Sequence, residues 1–444
     1  MKAPPSRRSF SEAIAMKIPK LPCLLLIALC ITLFISYTRW SPRSHVNAES
    51  DVLKFKNEEG SVKQIDSPKI YYGIIFDAGS TGTRVHIYKF SHRSSAAPIL
   101  DHETFKAIKP GLSAYADEPE KCAAGIKELL NLAMAEIPGK LWSSTPLILK
   151  ATAGLRLLPG EKAQRLLDMV TSIFKSSPFL TGKDSVSIMN GTDEGIFAWI
   201  TVNFLTGSLT NSEAKLAGML DLGGGSTQIT FYPYDKKTFP NAPPGFITTF
   251  QLFNRTYHLY SHSYLGLGLM SARLDIMGGE EGTPLQPGEE LVTPCVTPGY
   301  VTTFQHAGIT YKVKGEENGG SVYDSCYRRV AEKLKEKVNN VKEVDNLYFY
   351  AFSYYFDRAE DAHRIDPKTG GYIKVKDFEM AAKSECTNIK KTAGSSPFLC
   401  MDLTYITRLL QDLGFPTEKR LKLVKKINDV ETSWALGAMF YYMN

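Results

Sequence analysis

The chain carries almost the same passage twice. Gly73-Ile74-Ile75-Phe76-Asp77 runs into Ala78-Gly79-Ser80-Thr81-Gly82-Thr83-Arg84 and on to Val85-His86-Ile87-Tyr88. Further along, Gly218-Met219-Leu220-Asp221 runs into Leu222-Gly223-Gly224-Gly225-Ser226-Thr227-Gln228 and on to Ile229-Thr230-Phe231. Each passage reads as an apolar strand ending in Asp, a tight loop of Gly, Ser and Thr, and a second strand that alternates apolar with polar residues. A hairpin tip of this kind aims unpaired backbone N–H groups and hydroxyls at one point, which suits phosphate oxygens. The Asp at the strand end can hold a divalent cation, directly or through water. One such loop is ordinary turn chemistry. Two in one chain mark a phosphate-handling protein.

Duplicated Asp–loop hairpins resemble the layout of the actin, heat-shock chaperone and sugar-kinase superfamily, in which two lobes clamp a nucleotide. The length of 444 residues accommodates two or three domains. The formal net charge of +6 suggests an anionic partner, but its placement argues otherwise. Lys2, Arg7, Arg8, Lys17, Lys20, Arg39 and Arg43 stand against Glu12 alone, and seven minus one accounts for the whole +6 within residues 1–45. No later basic run is interleaved with aromatics, so nucleic-acid binding is excluded.

Leu21–Tyr37 is an apolar stretch of 17 residues, at the short end of what spans a bilayer as a helix. Five basic residues precede it and two follow closely, which predicts a cytoplasmic N-terminus and a type II anchor. A polar stalk follows, with little periodicity. The apolar run Ala435–Phe440 is too short to cross. Cys23 and Cys30 fall inside the anchor. Cys295, Cys326, Cys386 and Cys400 have no CxxC pattern or ligand-spaced His, so they read as two disulfides of an oxidising lumen; of three possible pairings the nearest-neighbour one is expected. Cys122 reads as a buried free thiol. Asn254-Arg255-Thr256 is a sequon in a polar stretch, suited to glycosylation in the lumen. Asn190-Gly191-Thr192 matches the same pattern but lies inside a chemical motif and is expected to stay unmodified.

Two stretches lie between the loops. In Lys150-Ala151-Thr152-Ala153-Gly154-Leu155-Arg156, Thr152 can offer a hydroxyl to a phosphate or a water, or simply cap a helix. In Asn190-Gly191-Thr192-Asp193-Glu194-Gly195, Asp193 and Glu194 can serve the dipole of the helix they begin. A hydrolase without a covalent nucleophile also needs a carboxylate to take a proton from the attacking water, and this pair is the best-placed candidate.

These four motifs, in this order and wording, resemble those of the apyrase family, the nucleoside triphosphate diphosphohydrolases. Tyr264-Leu265-Gly266-Leu267-Gly268-Leu269 looks like a fifth. Lys109–Tyr115 and Ser396–Leu403 resemble the single-anchor, secretory-pathway branch of types five and six. The resemblance implies that Glu194 is the general base, with Ser226 and Gln228 orienting the water and Thr152 beside it. It implies that Asp77 and Asp221 hold Ca²⁺ or Mg²⁺ through its water shell. The Gly79, Ser80, Thr81, Gly82, Thr83 and Arg84 loop and the Gly223, Gly224, Gly225 and Thr227 loop would cradle the phosphates. Gly225 departs from the family, where Ala is common. The aromatic run Tyr348–Asp357 resembles a nucleobase pocket, with Tyr354 or Tyr355 stacking on the base; by composition alone it is also a buried strand.

The expected fold is α/β: two actin-like, ribonuclease H-like lobes with a nucleotide cleft, preceded by one N-terminal transmembrane helix. The expected divisions are a cytoplasmic tail (1–20), the anchor (21–37), a stalk (38–69), lobe one (70–189 plus 430–444) and lobe two (190–429). The expected activity is hydrolysis of nucleoside diphosphates, UDP, GDP and IDP above triphosphates, by a monomeric ectodomain in the Golgi lumen, with release from the membrane as a further expectation. A sugar kinase or chaperone would need an acceptor pocket or a peptide-binding domain, and neither is apparent; a silent nucleotide sensor would not need Glu194, Ser226 and Gln228.

Overall fold

In the computed structural model the residues described are 54–56, 62–64, 69–92, 98–211, 213–317, 320–388 and 396–443. The first apolar passage forms strand β1 (Lys69–Ala78), in which Ile74, Ile75 and Phe76 are all fully buried. A strand covered on both faces needs no polar alternation, which is why this one reads as a continuous apolar run. It pairs antiparallel with β2 (Thr83–His92), and β2 with β3 (Ile99–Ile108). Strands β4 (Leu147–Ala151) and β5 (Val186–Ile188) add on parallel, so the sheet order is β3-β2-β1-β4-β5.

The second passage begins another sheet. Strands β6 (Gly218–Leu222), β7 (Ser226–Phe231), β8 (Ile247–Leu252) and β9 (Arg255–Leu265) form an antiparallel set, and β10 (Phe349–Ser353) pairs parallel with β6. With β11 (Gly371–Lys374) and β12 (Arg420–Leu423), the order is β8-β9-β7-β6-β10-β12-β11. Its central five, β9-β7-β6-β10-β12, repeat the first sheet in order and in strand direction. The duplicated passage is therefore the first hairpin of a duplicated sheet, and the expected α/β architecture is what the chain adopts.

Helices α1 (Ala123–Glu136) and α2 (Lys162–Lys175) cover the outer face of the first sheet through Ile126, Leu129, Leu166, Val170 and Phe174. Helix α3 (Gly191–Leu205) is buried on nearly every side, as its unbroken apolar sequence requires. It packs with α6 (Ala435–Met443) on Ile75, Tyr88 and Phe90 of the first sheet and on Met219 and Phe352 of the second. Gly437 of α6 lies against the Phe197 carbonyl, where a Cβ would collide. Trp199 is fully buried here, and its truncation to Ala would cost about 3–5 kcal/mol.

The outer face of the second sheet packs on α4 (Tyr354–Asp361), α5 (Leu399–Asp412) and further helices. The disulfides are Cys295–Cys326 and Cys386–Cys400, the nearest-neighbour pairing, and Cys122 is a buried free thiol. Asn254 is exposed at the β8–β9 turn. The Leu21–Tyr37 anchor lies outside the described residues, as does most of the stalk, in which Lys54–Lys56 pairs antiparallel with Val62–Gln64. Among the described residues no helix is long and apolar enough to cross a membrane.

Candidate active site

Both hairpins close in the same way. Gly79 N–H donates to the Gly82 carbonyl at 3.0 Å, and Gly223 N–H to the Ser226 carbonyl at 3.0 Å. Strand pairing sets Asp77 across from Arg84 in one hairpin and Asp221 across from Gln228 in the other. The loops meet: a Cβ on Gly224 would collide with the Ser80 hydroxyl, and one on Gly225 would come 2.9 Å from the Ala153 methyl. Between them opens a cleft of about 360 Å³ lined by residues of both sheets.

Asp77 and Asp221 are buried at the mouths of the loops, 6% and 7% exposed. Asp77 Oδ2 accepts from Arg84 Nη1 at 2.9 Å. Oδ1 of each carboxylate is buried with no hydrogen-bond partner among the described residues. Burial raises the Asp221 pKa to about 6, opposed by the Ser353 hydroxyl, raised further by Asp77 and lowered by Arg84. Two buried carboxylates with unpaired oxygens, on facing strand ends, fit a hard divalent cation that completes its shell with water and phosphate oxygens. Among the described residues no cluster of three or more ligating side chains exists.

Glu194 enters from above, in the first turn of α3. The Asn190 side chain caps that helix by accepting from Thr192 N–H at 2.8 Å, which also engages the second sequon. The Glu194 carboxylate accepts from the Arg156 guanidinium. Burial pushes its pKa up to about 8, Arg156 opposes that, and Asp221 and Asp77 add to it. Glu194 lines the cleft and Asp193 does not. A raised, cleft-facing carboxylate is the type of group that takes a proton near neutral pH.

Thr152 precedes the turn Ala153–Arg156, makes no side-chain cap bond there, and lines the cleft. Ser226 also lines it. Its hydroxyl accepts from Gln228 Nε2 at 2.8 Å, and the same amide donates to Ser263 Oγ at 2.9 Å. Gln228 lies behind Ser226, with Oε1 unpartnered among the described residues. Gly79, Ser80, Thr81, Arg84, Gly223, Gly224 and Gly225 line the cleft, whereas Gly82, Thr83 and Thr227 support the loops from within. The Thr227 hydroxyl donates to the Asp221 carbonyl at 2.8 Å.

The aromatic run corrects one expectation. Tyr354 lines the cleft, but Tyr355 is fully buried in the core of the second sheet and has no face free for a base. The run is half strand and half helix: β10 ends at Ser353, whose φ of 56° and ψ of −130° turn the chain sharply into α4. Successive side chains therefore point to opposite sides of the turn. A non-glycine residue there costs on the order of 1–3 kcal/mol, and its hydroxyl stands beside Asp221. Sequence reasoning missed Ser353, Ser263, Lys109, Asp357 and Lys425. Lys109 and Asp357 stand at the ends of stretches quoted above for a resemblance that gave them no role, whereas Ser263 and Lys425 carry no local motif and meet the site only through strand pairing and loop closure.

A family model for the GDA1/CD39 (nucleoside phosphatase) family matches residues 63–444. The chain is 51% identical to ectonucleoside triphosphate diphosphohydrolase 6 of Homo sapiens, covering 98% of this chain and 92% of that one. It is 48% identical to the Homo sapiens nucleoside diphosphate phosphatase ENTPD5, covering 85% of this chain and 88% of that one. Among solved structures, a nucleoside triphosphate hydrolase from Neospora caninum shares the fold with a TM-score of 0.59 at 13% identity, over 95% of this chain and 96% of that one.

Proposed function

Since this chain belongs to the GDA1/CD39 nucleoside phosphatase family and is a phosphoanhydride hydrolase, we propose that its cleft hydrolyses nucleoside diphosphates to monophosphate and phosphate with a water activated by Glu194. The observation that carries this reading is the buried Glu194 carboxylate, held by Arg156 in the same cleft as Asp77 and Asp221. The loop N–H groups and the Ser80 and Thr81 hydroxyls bind the terminal phosphate. Ser226, itself held by Gln228, orients the water with Thr152. Glu194 takes the water proton as the oxygen attacks phosphorus, and the bond to the bridging oxygen breaks without a phosphoenzyme. Asp77 and Asp221 are the residues to hold Ca²⁺ or Mg²⁺, which supplies positive charge to the phosphate oxygens.

Diphosphates are the favoured substrates because the cations nearest the loops are already engaged. Arg84 pairs with Asp77 and Arg156 with Glu194, so neither arginine beside the loops is free for a third phosphate. The relative named a nucleoside diphosphate phosphatase supports the same choice. Two disulfides, an exposed sequon at Asn254 and the apolar Leu21–Tyr37 segment support a type II, lumenal placement in the secretory pathway. The ectodomain then clears the diphosphates that glycosyl transfer leaves behind. Phosphate release from the fragment beginning near Asp66, with UDP, GDP, ADP and their triphosphates, tests the reading. Comparable kcat/KM for UDP and ATP would overturn the diphosphate preference, and no release from any of them would overturn the activity.

A further inference from the structure

The cleft continues past the phosphate loops along α4. Tyr354, at the start of that helix, lies within electrostatic reach of Arg84 of the first loop. Asp357, three residues on and so one turn away on the same helix face, also lines the cleft. Lys425, from the segment after β12, joins it in that lining. A nucleotide whose terminal phosphate sits in the loops has only its sugar and base to extend toward this end.

The neighbours of both residues are engaged, and they themselves are not. Arg358 pairs with Asp361 at 2.8 Å and with the buried Asp402 at 3.2 Å; Asp402 in turn accepts from Arg273 Nε at 2.6 Å. Lys426 pairs with Glu431 at 3.5 Å. The Asp357 and Lys425 side chains make no hydrogen bond or ion pair among the described residues, although their charges act on one another across the cleft. The Arg358–Asp402–Arg273 network fixes α4 to the protein core, and the Arg358 guanidinium lies over the Tyr354 ring, 5.5 Å from its centroid. The acceptor at Asp357 is thus presented by a helix tied to the core, with the Lys425 ammonium in the same lining and within electrostatic reach.

Resting on the nucleoside diphosphatase reading, we infer that Asp357 and Lys425 read the imide edge of the nucleobase. The Asp357 carboxylate accepts from a ring N–H, and the Lys425 ammonium donates to the adjacent ring carbonyl. Uracil, guanine and hypoxanthine present that N–H and C=O pair side by side. Cytosine and adenine present a ring nitrogen acceptor and an exocyclic amine in the same places, which sets acceptor against acceptor and donor against donor. A site built to match one pattern rejects the other because its polar groups are left unpaired. Burial raises the Asp357 pKa, with Arg358 and then Lys425 opposing it, in keeping with a carboxylate partly withdrawn from water.

The test is kcat/KM for UDP, CDP, GDP, IDP and ADP in the wild-type ectodomain, Asp357→Ala and Lys425→Met. The UDP:CDP and GDP:ADP ratios should exceed one in the wild type and fall in both variants by roughly 10- to 100-fold, mostly through KM. Asp357→Asn, whose amide can donate as well as accept, should shift the UDP:CDP ratio furthest toward CDP. Variants that lower all five substrates by the same factor would place these residues against the ribose or in the fold and overturn the inference, while leaving the diphosphatase reading intact. Wild-type ratios near one would overturn it as well. Absence of hydrolysis of every diphosphate would overturn the underlying reading, and the inference with it.

Discussion

The Arg156 guanidinium donates to the carboxylate of Glu194, tying the turn after β4 to the first turn of the helix that lies between the two sheets. The pair joins a cation that sequence reasoning had left in a motif to the residue that most needs one. Burial alone would hold Glu194 protonated, and Arg156 is what draws its pKa back down toward about 8.

A pH profile reads this pair directly. Glu194 must be ionised to take a proton, so kcat/KM is lost as pH falls through its pKa. Removing Arg156 removes the group that lowers that pKa. In Arg156→Gln the acid limb therefore moves to higher pH, and assays above the new limb recover part of the lost activity. A limb that stays where it was would show that the ion pair does not set the ionisation of the base.

Glu194→Gln separates catalysis from stability. Turnover should drop by roughly 10²–10⁴-fold, the usual contribution of a general base. The folded protein binds the Glu194 proton more tightly than the unfolded chain, with a pKa of about 8 against 4.5. The proton's contribution to folding is fully present below pH 4.5 and is lost as pH rises through about 8. Gln carries no such charge, so at pH 8 in chelator the variant should melt above the wild type. The two should converge near pH 4.5. A variant that melts lower throughout would show that the ionised carboxylate stabilises the fold.

Asp77→Asn and Asp221→Asn test the shared cation. Each carboxylate brings one unpaired buried oxygen, and neither hairpin supplies a second carboxylate. Both variants should raise the Ca²⁺ or Mg²⁺ concentration needed for half-maximal activity. The loss of metal-induced thermal stabilisation gives a readout that does not depend on turnover. Unchanged metal dependence in both would remove the two aspartates from the site.

Gly224→Ala tests the meeting of the loops. The new methyl would collide with the Ser80 hydroxyl on the other hairpin, and overpacking of this kind costs about 1–3 kcal/mol. The damage should fall on kcat, because the loops separate where the phosphate is held. Gly139→Ala, which points into open space, is the control. Equal activity in the two variants would mean that the loops need not touch.

The repeated hairpin made most of the fold legible. An apolar run ending in Asp and a Gly-rich loop specify a local structure, and its recurrence specified a second sheet of the same order. The Asp193–Glu194 pair was legible because it opens a helix too apolar to face water; the pattern alone did not divide the pair, the resemblance chose Glu194, and in the structure Glu194 lines the cleft while Asp193 does not. Tyr355 was misread for the same reason: in a run of aromatics, which ring faces a cleft depends on where strand yields to helix. That boundary is Ser353, in a backbone conformation that its sequence does not announce. Ser263 and Lys425 were invisible because each enters the site alone, from an element whose own pattern is spent on the core, while Lys109 and Asp357 stood in stretches noted for other residues.

Helix α6 gives the folding of this chain an order in time. Its Leu436, Met439 and Phe440 cover Ile75, Tyr88 and Phe90, and Met439 fills the space beside Gly73 that a side chain there would need. A ribosome makes β1 and β2 early and α6 only after the entire second sheet. The part of the first sheet's inner face that α6 covers, beside α3, must therefore wait, wet and apolar, through nearly all of synthesis. A premature stop anywhere before Ala435 leaves α3 as the one helix available to that face, with the share that belongs to α6 uncovered.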